Sequence, residues 1–120
     1  MSFKAHVTGH FLLTNETTNA NKVDEDLSEL FTTITGAIHK HADDLPLIST
    51  DGQKDLPLGT LAGIRTILIW PEGGTVIFRH DTNANGILLT GMMLVQGVLT
   101  APTVETSSTS TMTVHYVIVE

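Results

Sequence analysis

The clearest hydrophobic pattern lies in the second half of the chain. Residues 63–70 form an apolar run, residues 71–74 interrupt it with Pro-Glu-Gly-Gly, and residues 75–80 then alternate apolar and polar side chains. Two β-rich runs joined by a Pro/Gly turn are typical of an antiparallel hairpin. We therefore expect a hairpin over 63–80, with Val76 and Phe78 on one side, and the rest of the chain packed on it.

Similar alternation predicts strands elsewhere. Residues 3–14 alternate over their whole length, which favours one half-buried strand with a bulge or bend at Gly9. Residues 112–120 alternate in the same way and predict the last strand. Short apolar runs separated by turns predict further strands, at 45–48, 87–90 and 92–99.

One segment carries a helical pattern. Leu27, Leu30 and Ile34 are spaced three and four apart and follow the acidic stretch 24–26, which suits the first turn of a helix. The threonines that come next are β-branched and disfavour a long helix. The sequence thus predicts a short helix or turn near 24–30, followed by a strand over 31–41.

These elements predict an all-β, mainly antiparallel fold: a β-sandwich or a jelly-roll-like barrel with at most one short helix. The 120 residues fit a single domain over 1–120. The positions expected to be buried share the core-facing phase of their strands. They are Val7, Phe11, Ile34, Ile38, Ile67, Ile69, Phe78, Leu88, Val114 and Tyr116.

Composition narrows the function classes. The net charge is −7, from six basic and thirteen acidic residues, and the basic residues are scattered. We therefore expect no nucleic-acid partner, since such binders carry a basic stripe. Without cysteines, neither disulfides nor thiolate metal sites are expected. No apolar run approaches ~18 residues, and no basic stretch precedes an apolar one at the start, so we expect no membrane span and no signal peptide.

One cluster has the spacing of a metal site. On a strand, His39 and His41 would share a face, and Asp43 or Asp44 could supply a third ligand. A polar strand edge running into a turn explains the same residues more simply. His6 and His10 would lie about 13 Å apart on a strand, too far to share an ion. We expect no metal and no cofactor.

Nothing in the sequence announces catalysis. The serines at 49, 107, 108 and 110 lie in polar loops, outside any nucleophile-elbow motif, and no glycine spacing matches a phosphate-binding loop. We therefore predict a protein without catalytic residues. Trp70 and Tyr116 could stack on a sugar, but as the only Trp and Tyr they are expected to fill the core.

The second half of the chain resembles short virion proteins of tailed bacteriophages. The resemblance is carried by Leu56-Pro-Leu-Gly-Thr, by Thr75-Val-Ile-Phe-Arg, by Asn85-Gly-Ile-Leu-Leu and by the terminal Met112-Thr-Val-His-Tyr-Val-Ile-Val. It covers about half the chain and is a pattern of turns and strands. The chain departs from it after the first apolar strand, where Pro-Glu-Gly-Gly replaces the usual Asn-x-Gly turn.

The resemblance implies a non-enzymatic structural protein of the virion, assembled in the host cytoplasm. A capsid decoration protein is expected first, and a tail or baseplate component second. A carbohydrate- or receptor-binding β-sandwich is the alternative from another class.

Apolar residues predicted on both faces of single strands suggest that copies of the chain cover one face, because large exposed apolar patches are uncommon on monomers. Ile64 and Leu68, opposite Ile67 and Ile69, are one example. We expect a homotrimer, in contact with the major capsid protein or with tail proteins. The acidic stretches 24–26 and 43–44 are expected to face solvent.

Overall fold

The computed structural model describes residues 3–37, 39–59, 61 and 63–120, with the backbone alone for 36, 37 and 39–44. The chain divides into two compact units, Met1–Ala37 and Ile38–Glu120. Each unit is described by itself, and a single domain over 1–120 stays a prediction. The fold is all-β and mainly antiparallel, as the sequence predicts.

The first unit consists of two small antiparallel pairs and one short helix. Strand β1 (Phe3–Ala5) pairs with β4 (Ile34–Ala37), and β2 (His10–Thr14) pairs with β3 (Asn21–Asp26). The helix α1 (Leu27–Leu30) has four residues. No helix in the described part of the chain is long and apolar enough to cross a membrane.

The single strand predicted over 3–14 is wrong, because the chain breaks between β1 and β2. Gly9 lies in this break with a φ of 123°, a backbone conformation that other residues rarely adopt. The predicted helix begins later than residue 24, because residues 21–26 pair as β3 instead. Asp26 then caps α1: its side chain accepts a hydrogen bond from the Ser28 amide.

The second unit is a β-sandwich of two four-stranded sheets. The first sheet has the strand order β10-β7-β12-β5, and the second has the order β6-β11-β8-β9. The first contains β5 (His39–Leu47), β7 (Ile64–Glu72), β10 (Met93–Leu99) and β12 (Met112–Val119). The second contains β6 (Lys54–Asp55), β8 (Val76–Arg79), β9 (Ile87–Leu89) and β11 (Thr103–Glu105), and a 3-10 helix, Ser49–Asp51, precedes β6.

The hairpin predicted over 63–80 is wrong. Strand β7 pairs with β10 and β12, whereas β8 pairs with β11 and β9 in the other sheet. The Pro/Gly turn therefore carries the chain across the sandwich, and Gly73 adopts a φ of 83° there. The true hairpin comes one turn later, between β8 and β9, around the loop that contains Asn85-Gly86.

Pro71 can lie at the end of this central strand because of where β10 stops. Proline cannot donate a backbone hydrogen bond, so it is excluded from strands that are paired on both sides. The pairing of β7 with β10 runs only as far as Ile69 opposite Met93. At Pro71, β7 is paired with β12 alone, opposite Val114. The missing N–H therefore leaves the sheet intact.

The core of the second unit lies between the two sheets. Ile67, Ile69 and Tyr116 of the first sheet and Phe78 and Val104 of the second are at most 2% exposed. Burial predicted from the sequence is confirmed for one group of positions. They are Ile34, Ile67, Ile69, Phe78, Val114 and Tyr116.

Three other expectations of the strand phase are wrong. Phe11 is 60% exposed on the two-stranded β2–β3 pair, and Leu88 is 62% exposed, while its neighbour Leu89 is buried opposite Val76. Ile64, expected to face away from Ile67, belongs to the same core, because alternation along β7 shifts phase between Thr66 and Ile67. Val7 is half-buried, and Ile38 lies outside the described residues.

Three hydrogen bonds join the loop before β7 to the rest of the sandwich. The Tyr116 hydroxyl donates to the Pro57 carbonyl oxygen at 2.9 Å, and the Leu56 amide donates to the Pro102 carbonyl oxygen at 3.0 Å. The Gly63 amide donates to the Glu120 carboxylate at 3.1 Å. Buried Leu56 adds an apolar contact. The terminal strand is thus fastened to this loop as well as to its neighbouring strands.

Two buried threonines differ in how their hydroxyls are satisfied. Thr103 Oγ1 accepts a hydrogen bond from Gln53 Nε2 at 2.9 Å, and Thr103 is fully buried. Thr66 is 5% exposed, and its Oγ1 has no hydrogen-bond partner among the described residues. A buried hydroxyl without a partner costs free energy, because it has given up its bonds to water.

Truncating Phe78 tests the core. Phe78→Ala is expected to lower the free energy of unfolding by ~3–5 kcal/mol, since it removes a buried ring and leaves a cavity. Phe11→Ala is the matched control: this ring is 60% exposed on β2, and its loss should change stability by no more than ~0.5 kcal/mol. Urea unfolding measures both. Equal effects of the two changes would contradict the assigned strand faces.

Replacing the two threonines tests the hydrogen-bond assignment. Thr66→Val should raise the free energy of unfolding by about 1 kcal/mol, because it removes an unpaired hydroxyl and keeps the shape. Thr103→Val should lower it by about 1 kcal/mol, because Gln53 loses an acceptor. Denaturant titration of both variants gives the signs, and a stabilised Thr103→Val protein would disprove the second assignment.

Candidate functional site

An aromatic and ionisable cluster lies on the first sheet of the sandwich. Trp70 on β7 lies directly opposite His115 on β12, and their rings stack with centroids 5.2 Å apart and planes 8° from parallel. The Glu72 carboxylate is 2.6 Å from His115 Nε2. The His115 side chain is 16% exposed and that of Glu72 is 70% exposed. Alternation places the cluster on the face opposite Ile69 and Tyr116.

This geometry fixes the orientation of the His115 ring. The Glu72 carboxylate is within hydrogen-bond distance of one ring nitrogen, and the indole of Trp70 covers one face of the imidazole. Trp70 is half-buried rather than part of the core, so the expectation that it fills the core is wrong. Tyr116 lies in the core, so these two side chains do not form a sugar-stacking pair.

A second ionisable pair lies in the first unit. His10 Nδ1 on β2 is 2.6 Å from Asp24 Oδ1 on β3, and both side chains are about half exposed. The hydrogen bond to Asp24, followed by its charge, raises the pKa of His10 above 6.5. The pair therefore favours β2–β3 pairing below the ordinary pKa of histidine, and this contribution is lost as the pH rises through the raised pKa.

The four candidate metal ligands of the sequence lie on the part of β5 where the structure describes the backbone alone. The side chains of His39, His41, Asp43 and Asp44 lie outside the described residues, so the expectation about metal stays untested. Within the described part, three or more His, Asp or Glu side chains do not gather as metal ligands. Backbone pairing places His41 opposite Val117 and His39 opposite Val119 on β12.

The loop serines mostly shape their own loops. Ser108 Oγ donates to the Ser110 carbonyl oxygen at 2.7 Å, and the Ser108 amide donates to Thr106 Oγ1. Thr106 is buried and donates in turn to the Thr75 carbonyl oxygen. These bonds fold the Ser/Thr-rich segment back on the β7–β8 turn. They give the segment a structural role.

A cleft of about 300 Å³ opens beside the loop that precedes β7. Leu56, Leu58 and Pro102 give it apolar walls, while Asp55 and Thr82 add polar groups. Gln53 Nε2 fixes one side of the cleft by donating to the Thr82 carbonyl oxygen at 2.8 Å. One carboxylate over apolar walls would suit a small organic cation, but among the described residues the cleft has no second charged group in its lining.

The most unusual surface of the second unit is an uncharged edge. From Thr82 to Val104 the sequence contains no Asp, Glu, Lys, Arg or His, although charged residues make up 16% of the chain. This segment includes β9 and β10, which end the strand orders of the two sheets. We call residues 87–99, which comprise β9, β10 and their connection, the neutral rim. The absence of charged residues is visible in the sequence, but the pattern of predicted strands does not reveal it.

Large apolar side chains stand exposed along the neutral rim. Val98 is 81% exposed, Met92 66%, Leu88 62% and Ile87 54%. The apolar residues expected on the outer face of the first sheet are far less accessible: Leu68 is half-buried. The exposed apolar surface of the second unit therefore lies at its edge, on both sheets, rather than on a sheet face.

The comparisons add no relative. No family model, no curated protein and no solved structure matches the chain. The resemblance to phage virion proteins therefore depends on the strand-and-turn pattern alone. Its segments all lie in the second unit, where Tyr116 of the terminal stretch contacts Pro57 of the first.

Changing Asp24 tests the pair in the first unit. Asp24→Asn should move the pKa of His10 down towards its ordinary value, because it removes the charge and the charged acceptor. An NMR titration that follows the imidazole C–H resonances measures the pKa. Glu16→Gln, which changes the net charge equally, is the control and should leave it unchanged. An equal shift in both variants would exclude a specific His10–Asp24 bond.

Proposed function

We propose that this protein is a non-enzymatic structural component of a tailed-phage particle, first of all a capsid decoration protein that stabilises the head as a homo-oligomer. The observation that carries the proposal is the neutral rim, where exposed Val98 and Met92 accompany the absence of charge. Contiguous exposed apolar surface on a soluble protein marks a contact site. Interface cores are depleted of charged residues.

The fold also supports a role in assembly. A decoration protein must be a stiff body that presents its contacts at fixed positions, and a sandwich with one continuous core meets this need. In the first unit, the acidic strand β3 keeps Asp24 and Glu25 exposed, as expected for the solvent side of such a protein. The resemblance to phage virion proteins supports a location on the particle. The assembly we propose is a homotrimer on the capsid.

A tail or baseplate component is the nearest alternative, because the same surface could bind tail proteins. The carbohydrate-binding alternative depends on exposed aromatic rings. Phe3 and Phe11 are exposed but belong to different strand pairs of the first unit, and Trp70 has His115 stacked on one ring face. The described aromatic residues therefore favour the structural role over sugar stacking.

Mass and particle binding test the proposal together. Size-exclusion chromatography with light scattering, on untagged protein at micromolar concentration, should give a mass near three chains. Incubation with purified tailed-phage heads that lack this protein, followed by sedimentation, should move the protein into the particle fraction. Bound protein should raise the temperature at which the heads open.

Three outcomes decide between the functions. Binding to tails but not to heads would replace decoration by the tail alternative. A monomer without affinity for either part of the particle would contradict the structural role. Glycan-array binding by such a monomer, lost in Trp70→Ala but kept in Phe3→Ala, would instead support the carbohydrate alternative.

A further inference from the structure

The neutral rim has two flanks, one from each sheet. The β9 flank carries Ile87 and Leu88, and the β10 flank carries Met92 and Val98. Only residues 90–92 join the two strands, and three residues span no more than about 14 Å between the flanking strand ends. Packed sheets lie ≈ 10 Å apart, so the two flanks must meet at one side of the sandwich.

Both flanks expose a sheet edge as well as apolar side chains. Strand β10 has seven residues and pairs with β7 on one side, and β9 pairs with β8 on one side, among the described strands. Edge strands of soluble proteins usually carry charges that prevent pairing with other chains. The rim has none.

A β-bulge interrupts the exposed edge of β10. Gly97 and Val98 interrupt the pairing with β7 between Gln96 and Leu99. Bulges often turn an edge away from a partner. Here the bulge presents Val98, the most exposed large apolar side chain described, so it offers a contact instead of a charge.

Charge limits where two copies of the chain can meet. The chain has a net charge of −7, so two copies repel each other over most of their surface. In the first unit, the exposed side chains of Phe11 and Leu13 lie on β2. This strand pairs with β3, which carries Asp24 and Glu25. Copies that met there would bring acids together. The rim segment itself contributes no charged side chain to such a contact.

We propose that copies of this chain assemble through the neutral rim, with the β9 flank of one copy against the β10 flank of the next. This inference rests on the proposed function, since it names the surface by which the oligomer forms. Contact between like flanks would leave the other flank of each copy exposed. Contact between unlike flanks repeats around a ring until both flanks of every copy are covered.

Single lysines on each flank test the contact. Val98→Lys and Leu88→Lys should each weaken assembly at least about tenfold, because a lysine buried in an apolar contact lacks a partner. Met92→Lys is a second variant of the β10 flank, placed outside any strand. Leu30→Lys is the matched control: its side chain is 65% exposed, in the first unit, and assembly should not change. Circular dichroism checks folding, and light scattering gives the mass.

Mixing the variants distinguishes unlike from like flanks. Each variant alone should be monomeric at a concentration where the wild type forms rings. A mixture of Val98→Lys and Leu88→Lys proteins should give dimers, because one intact β9 flank meets one intact β10 flank. A mixture of Val98→Lys and Met92→Lys proteins, both altered on the same flank, should stay monomeric.

The outcomes separate this inference from the proposed function. If Val98→Lys and Met92→Lys assemble like the wild type, the rim is not the contact, while particle binding can still support the function. If Leu88→Lys assembles normally and Val98→Lys does not, the contact joins like flanks and the inference is overturned. A wild type that is monomeric yet binds heads also overturns it. A monomer that binds no particle contradicts the function.

Discussion

The second unit depends on the position of its last strand. β12 lies between β5 and β7 and pairs with both, so the end of the chain completes the first sheet. Its inward residues, such as Val114 and Tyr116, face Phe78 and Val104 across the core, and Tyr116 also holds the loop before β7. Without β12, β5 would lose its partner and β7 would keep only β10.

This arrangement explains why two exposed sheet edges lie next to each other. With β12 in the centre, the edges of the first sheet are β5 and β10, and those of the second are the short β6 and β9. The connection between β9 and β10 brings two of these edges together in a segment without charges. A chain with abundant acids elsewhere thus has two neighbouring sheet edges whose own residues carry no charge.

The sequence predicted the class of fold and the inward face of its long strands. Period-two alternation decides which residues share a face, and this was enough for Ile67, Phe78 and Tyr116. It does not decide which strands are neighbours. β7 and β8 bury the same apolar residues whether they pair in one sheet or face each other across the core, so the turn between them was misread as a hairpin.

Hydrophobic alternation does not predict which residues are buried on short strands. β9 has three residues, too few to fix its phase, so Leu88 was chosen where Leu89 is buried. Phe11 alternates correctly but lies on a two-stranded pair, and alternation carries no information about whether a second layer exists. The stacked Trp70–His115 pair required the register of β7 against β12, which only the structure supplies.

A nuclear Overhauser spectrum of the isotope-labelled protein tests the central position of β12 most directly. The account predicts backbone contacts from Tyr116 to Ile69 on one side and to Ala42 on the other, together with contacts from Phe78 to Val104. A ladder of backbone contacts between β7 and β8, with none between β7 and β12, would contradict it.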